Sequence, residues 1–213
     1  MIEAVSKSLT SAGLKVIELG FIDSFYAYDD DKDGVAERFG FLRLVDARQW
    51  IQSNWVNNPA KPAKVVIIAH SHGAVWAHSA AMAVPELKID VLVSLDGVCA
   101  LWDKYHAEEV IDFVNQYGNP FGFNLWNPCE AYFIPGSSKL RDEEDVTPNN
   151  VVLNLEVQAT AWPKDNDANV RLDGGTYGIK TFKSGKARSL VDEAGTDSVN
   201  WVVQELLKSQ LRK

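Results

Sequence analysis

Three observations predict an α/β fold built on a mostly parallel sheet. Apolar runs that are nearly continuous in Val, Ile and Leu alternate with helical patterns along the chain. The composition is that of an ordinary soluble globular protein, 46% hydrophobic and 23% charged. No repeat or low-complexity tract interrupts the 213 residues, a length that suits one sizeable core. Helices on both faces of such a sheet make a three-layer sandwich, and residues 1–213 read as a single domain.

The elements follow in order. Ile2, Val5 and Leu9 recur at helical spacing, and Gly13 stands where a helix stops. "LKVIEL" (14–19) reads as a short buried strand, followed by a polar, turn-rich stretch. Leu44, Ala47, Ile51 and Trp55 mark the inner face of a second helix that "NNPAKP" ends. The strand "KVVIIA" (64–69) leads into a helix from about His72 to Ala83, closed by Pro85, and then into the strand "IDVLVSLDG" (89–97). "EAYFIPG" (130–136) and "NVVLNLEVQAT" (150–160) read as two more strands, and "KDNDANVRLDGG" as loop. "TDSVNWVVQELLKSQLRK" forms a final amphipathic helix with Val199, Val202, Val203 and Leu206 inward. Its C-terminal Lys and Arg complement the helix dipole.

Charge and composition exclude several function classes. The net charge is −8 without a Lys/Arg cluster, which argues against a nucleic-acid partner. No apolar run approaches the roughly 18 residues that span a bilayer, so the chain reads as soluble without a transmembrane segment. The first residues lack the basic start, apolar core and small-residue cleavage site of a leader. Both a cytoplasmic protein and a secreted one whose leader is absent from this chain fit that start. Cys99 and Cys129 lack CxxC spacing; they are read either as buried thiols or as one disulfide in a secreted protein.

The chemistry concentrates in "KVVIIAHSHGAVWAH" (64–78). A strand runs into Ser71 and a helix leaves it, with small residues two before (Ala69) and two after (Gly73). Such a turn is tight, strains the backbone at the serine, and exposes the hydroxyl at the carboxyl edge of the sheet. The N–H of His72 then faces a developing oxyanion. A serine that merely caps the helix is the structural alternative. "AHSHG" resembles the GxSxG nucleophile elbow of the α/β-hydrolase superfamily, its lipases and esterases in particular, with Ala in the first glycine position. The likeness extends over residues 2–207 as an order of strands and helices. It implies that Ser71 attacks an ester carbonyl, forms an acyl-enzyme and is freed by water, with no cofactor required.

The resemblance also implies an acid and a histidine. Asp96 in "SLDGV" ends the strand after the serine helix, a place some lipases use for the acid. Asp142 and Asp145 in "LRDEED" are the alternatives, one strand later, and a turn-capping role for Asp96 is the structural one. The family's histidine stands shortly before the final helix, where "GKARSLVDEAG" carries Arg188 instead. Arginine stays protonated and cannot take a proton from serine. His78 lies seven residues past Ser71, about 10 Å along a helix. His70 and His72 flank the nucleophile and point away from it. His106, ten residues beyond Asp96, is the remaining candidate base. Set against the family's order of elements, the chain starts in the helix after the first strands, which the resemblance reads either as N-terminal strands lying upstream and missing here or as an incomplete oxyanion hole.

Two further segments carry expectations. Asp29, Asp31 and Asp33, followed by Gly34, match the first half of a calcium loop. Its twelfth position is Gly40 rather than Glu, and a solvated acidic turn is the alternative. Residues 98–130 sit where these hydrolases insert a lid or cap. Trp102, Tyr105, Phe121, Phe123 and Trp126 there either bind an acyl or aromatic ligand or form core beneath a long loop. The expected function is a serine-dependent carboxylic ester hydrolase acting on a small ester or lipid-like ligand. A catalytically inactive relative that keeps the pocket for ligand binding or interaction is the alternative.

Overall fold

A computed structural model describes residues 2–19, 22–27, 32, 40–60, 62–160 and 167–211. Helix α1 (Ile2–Ser11) buries Val5 and Leu9, one turn apart on one face. Residues 14–19, expected as a buried strand, carry no strand pairing. Leu14 and Val16 pack into the core while Ile17 and Leu19 are exposed. The run supplies core side chains, and no described strand offers it a ladder partner. Helix α2 (Phe41–Ile51) continues through a π-helical turn (Gln52–Val56).

The central sheet is parallel throughout. Strands β1 (Val66–His70) and β2 (Ile89–Leu95) flank helix α3 (His72–Ala83), in good agreement with the sequence pattern. After helix α4 (Trp102–Tyr117) the chain forms two short pairs. Strand β3 (Tyr132–Phe133) is antiparallel to β4 (Leu140–Arg141). Strand β5 (Val146–Thr147) is parallel to β7 (Val170–Arg171). Between the strands of the second pair runs β6 (Val151–Ala159), and β8 (Ile179–Ser184) follows. The four long strands lie in the order β1-β2-β6-β8. Register sets His70 opposite Leu95 and Leu95 opposite Val157, so β1 and β2 end together and β6 runs two residues further.

Two expectations change here. "EAYFIPG" contributes only Tyr132–Phe133, outside the central sheet, and the strand beside β2 is β6. The longer β-branched run Val151–Ala159 can fill a fully buried position, whereas Pro135 and Gly136 cut the earlier run short. Helix α4 and strand β8 were not expected from the pattern.

The two faces bury different residues. Val91, Val93 and Leu95 of β2, with Leu155 and Val157 of β6, pack against α1 and α5 (Asp197–Leu211). On the other face Leu92 meets Ala74, Ala77 and Ala81, a stripe of small residues on α3 that brings the helix close to the strands. The far side of α3 presents Val75, Trp76 and Ala80 to Phe25, to Phe41 of α2, and to Trp102 and Val110 of α4. Helix α3 is therefore apolar nearly all round because it is enclosed on both sides. Among the described residues, no helix is long and apolar enough to cross a membrane.

Candidate active site

One residue, Ser71, makes the whole turn between β1 and α3. Its backbone has φ 54° and ψ −128°, a sparsely populated region that costs an L-residue about 1–3 kcal/mol. The conformation is held from both sides. The Ser71 N–H donates to the Leu95 carbonyl at 3.1 Å, and its carbonyl accepts from the Ala74 N–H at 3.0 Å. The hydroxyl makes no capping bond to α3, so the serine is not there to cap the helix. It is partly exposed at the carboxyl ends of the strands. The His72 N–H is the first of α3 and has no acceptor inside the helix, as an oxyanion donor requires. Ala69 is buried as a tight turn demands, but a Cβ placed on Gly73 would meet nothing within 4 Å. The strain is local to Ser71, and Gly73 faces open space.

Asp96 ends β2 one strand away and also has a left-handed backbone, φ 48°. Its N–H donates to the Val157 carbonyl at 2.6 Å. Its carboxylate, 1% exposed, accepts from the Ala159 N–H at 2.8 Å through Oδ1 and from Arg188 Nε at 2.5 Å through Oδ2. Arg188 opens a 3-10 turn (Arg188–Leu190) between β8 and α5. Its carbonyl accepts from His70 Nε2 at 3.0 Å, and His70 Nδ1 lies 3.8 Å from Asp192 Oδ2. Strand β1 and the 188 loop are thus tied together beside Ser71. Arg188 Nη2 is buried with no hydrogen-bond partner among the described residues. The side chain in the expected histidine position reaches Asp96, and it is a guanidinium.

The other histidines are held elsewhere. His78 is buried between the Val146 carbonyl (3.0 Å from Nδ1) and Ser94 Oγ (2.9 Å from Nε2), and burial lowers it to about 4. His72 Nε2 lies 2.8 Å from the Ala100 carbonyl, which can only accept, so that nitrogen carries the proton. In the neutral ring His72 Nδ1 is then an acceptor, and His106 Nε2, 3.3 Å away, must be the donor. Burial, then the neighbouring His72, lowers His106 to about 4. The structure brings His106 to His72, against Trp102 and Trp76, and gives it no hydrogen bond to Ser71.

The remaining candidates separate. Asp142 and Asp145 bracket a 3-10 turn (Glu143–Asp145) on the β4–β5 connection, outside the central sheet. Asp142 accepts from the Glu130 N–H, and Asp145 is buried. Trp102 is fully buried, and Phe121, Phe123 and Trp126 pack partly buried on the same aromatic cluster. Tyr105 alone of the five is well exposed, at 59%. Asp29, Asp31 and Asp33 lie outside the described residues. An open depression lined by Pro135, Lys139, Arg141 and Asp167 does not include Ser71. Cys99 and Cys129 form a disulfide rather than two buried thiols.

Sequence reasoning missed the contact of Asp192 with His70 and the burial of Glu143, Glu144 and Asp145. An acidic run ordinarily marks a solvated face. The available signal was its setting between the apolar run at 131–134 and Val146. Compared with known proteins, the chain matches no family model, no curated protein and no solved structure, so what the site does rests on its own residues.

Proposed function

We propose that the chain is an α/β-hydrolase-type scaffold of the carboxylic ester hydrolase class in which Arg188 holds the general base's place. Its Ser71 centre binds a small ester or acyl ligand without turning it over efficiently. The observation that carries this reading is the Arg188 Nε–Asp96 Oδ2 contact beside a strained, uncapped serine. The strained turn, the His72 N–H and the acid at the end of the next strand are the parts an acyl-transfer site needs. The missing part is proton transfer. A guanidinium keeps its proton at working pH, so the Ser71 hydroxyl keeps its own.

The test uses a fluorophosphonate probe and short p-nitrophenyl esters on the intact chain, Ser71→Ala, Arg188→His and the double variant. General-base assistance contributes about 10²–10⁴-fold. Arg188→His is therefore expected to gain on the order of 100-fold or more in ester turnover, lost again in the double variant. Turnover by the intact chain that Ser71→Ala abolishes, unchanged by Arg188→His, would overturn the reading.

One observation favours a second reading, an active ester hydrolase served by the His72–His106 pair: the two rings are hydrogen-bonded next to the nucleophile. In that case His106→Phe abolishes the Ser71-dependent turnover of the intact chain, while Arg188→His leaves it in place.

A further inference from the structure

A second group of ligand-bearing side chains stands beside the elbow and takes no part in the arrangement above. Cys99 Sγ, one carboxylate oxygen of Asp142 and one of Glu144 lie within 4.8 Å of one another. Cys99 and Glu144 are buried, at 0% and 2% exposure, and partly exposed Asp142 opens the group to solvent. Glu144 Oε2 is buried with no hydrogen-bond partner among the described residues. An unpaired carboxylate oxygen in a protein interior calls for a proton or a cation. The sulfur is one half of the Cys99–Cys129 disulfide, and a disulfide sulfur is a poor metal donor where a thiolate is a strong one.

We infer that reduction of Cys99–Cys129 opens a divalent-cation site of the zinc type, held by the Cys99 and Cys129 thiolates with Asp142 and Glu144. The donor set is two sulfurs and two oxygens, and mixed thiolate sites suit zinc where calcium takes oxygen alone. Tetrahedral bonds of about 2.0–2.3 Å need donor atoms roughly 3.3–3.8 Å apart, so the group closes by at most about 1.5 Å, within reach of side-chain rotation. The redox step balances by exchange. A dithiol reductant is oxidised to its disulfide, the Cys99–Cys129 bond breaks, and each cysteine gains a proton that the cation then displaces.

The site adjoins the elbow. A Cβ on Gly97 would lie 2.9 Å from Glu144 Cγ and 3.0 Å from Ala74 Cβ, and Ala74 is one turn below Ser71. Ala100, the residue after Cys99, holds His72 through its carbonyl. Cation binding therefore acts on the backbone that carries both the nucleophile turn and the His72–His106 pair. The site itself does not depend on the ester-hydrolase reading.

The experiment titrates zinc, against a chromogenic chelator, into the full chain with the disulfide intact and after reduction by a dithiol that is then removed. The reduced chain is expected to bind one equivalent about 100-fold more tightly than the oxidised chain, and Glu144→Gln to lose about tenfold or more of that gain. Cobalt(II) gives a second readout on the unmutated chain: a thiolate-to-cobalt charge-transfer band in the reduced form alone. Equal zinc affinity in both redox forms, or reduced protein without the charge-transfer band, overturns the inference even if Glu144→Gln fails to fold. Loss of ester turnover in Ser71→Ala bears on the proposed function and leaves this titration unchanged.

Discussion

Arg188 Nε donates to Asp96 Oδ2 across 2.5 Å, joining the loop before the last helix to the carboxyl end of β2. The carboxylate is 1% exposed and the guanidinium 18%, so water screens this pair little. Arg188→Met leaves a buried carboxylate without its counter-charge. The expected loss is about 2–3 kcal/mol, or about 5–10 °C in melting temperature for a chain of this size. Asp96→Asn keeps an acceptor for the Ala159 N–H and is expected to cost less, about 1 kcal/mol. A double-mutant cycle measured by urea unfolding isolates the coupling; a coupling near zero would show that the pair adds nothing to stability.

The buried acidic turn sets the pH dependence. Burial pushes the Glu143 carboxyl up to about 8 against hydrogen bonds from Ser79 and Tyr132. Burial, then Asp142 and Asp167, pushes Asp145 up to about 8, and Glu144 moves the same way through burial, Asp145 and Asp142. Glu143 and Asp145 each hold a proton in the folded chain alone between their unfolded values, near 4.5 or below, and about 8. Stability from this source is thus fully present at low pH and falls as pH rises toward 8. The slope is about 1.4 kcal/mol per pH unit for each group still protonated.

Histidines act in the opposite direction and over a lower range. His78 and His106 ionise near 4 when folded and 6.5 when unfolded, so they cost stability as pH falls from 6.5 to 4. Above pH 6.5 the contribution of His78 and His106 fades, while the carboxyls of this turn still act up to about 8. Thermal melts across that interval are expected to show falling stability, and Glu143→Gln to flatten the fall. A rise with pH over the same interval would contradict the protonated state of this turn.

Proton positions in the His72–His106 pair are open to direct measurement. The Ala100 carbonyl requires a proton on His72 Nε2, and His72 Nδ1 then requires one on His106 Nε2. Long-range ¹H–¹⁵N spectra at pH 7 are expected to show both rings as the Nε2–H tautomer. A protonated Nδ1 on either neutral ring would break the chain of donors.

Two glycines near the elbow are expected to respond in opposite ways. Gly73→Ala meets open space in the first turn of α3, so it is tolerated and stabilises by about 0.5–1 kcal/mol through helix propensity. Gly97→Ala drives a methyl to 2.9 Å from Glu144 Cγ and 3.0 Å from Ala74 Cβ, and loses about 1–3 kcal/mol. Chemical denaturation of the two variants checks both signs.

Much of the site was legible because its information is local. The Ala69-His70-Ser71-His72-Gly73 stretch carries strand, one-residue turn and helix within a few positions, and the structure starts α3 at His72 and ends it at Ala83 as read. Asp96 was legible as the last polar residue of a buried strand, and Arg188 as the basic residue before a final helix. Less legible were elements whose character depends on a distant partner. "IKTFKS" has too little alternation to announce β8, which exists because β6 offers it a parallel edge. "LKVIEL" looks like a strand and forms none, because no described strand pairs with it.

By itself, the sequence determined the α/β class, the position of the serine turn, and the absence of a histidine beyond residue 106. These follow from residue identity and from hydrophobic spacing over a few residues. Tertiary structure decided which strands pair, that Arg188 closes on Asp96, that Cys99 joins Cys129, and that Glu143–Asp145 is buried rather than solvated. Those outcomes join residues dozens of positions apart. The free energy of such contacts arises from burial and pairing across the fold, which no local pattern encodes.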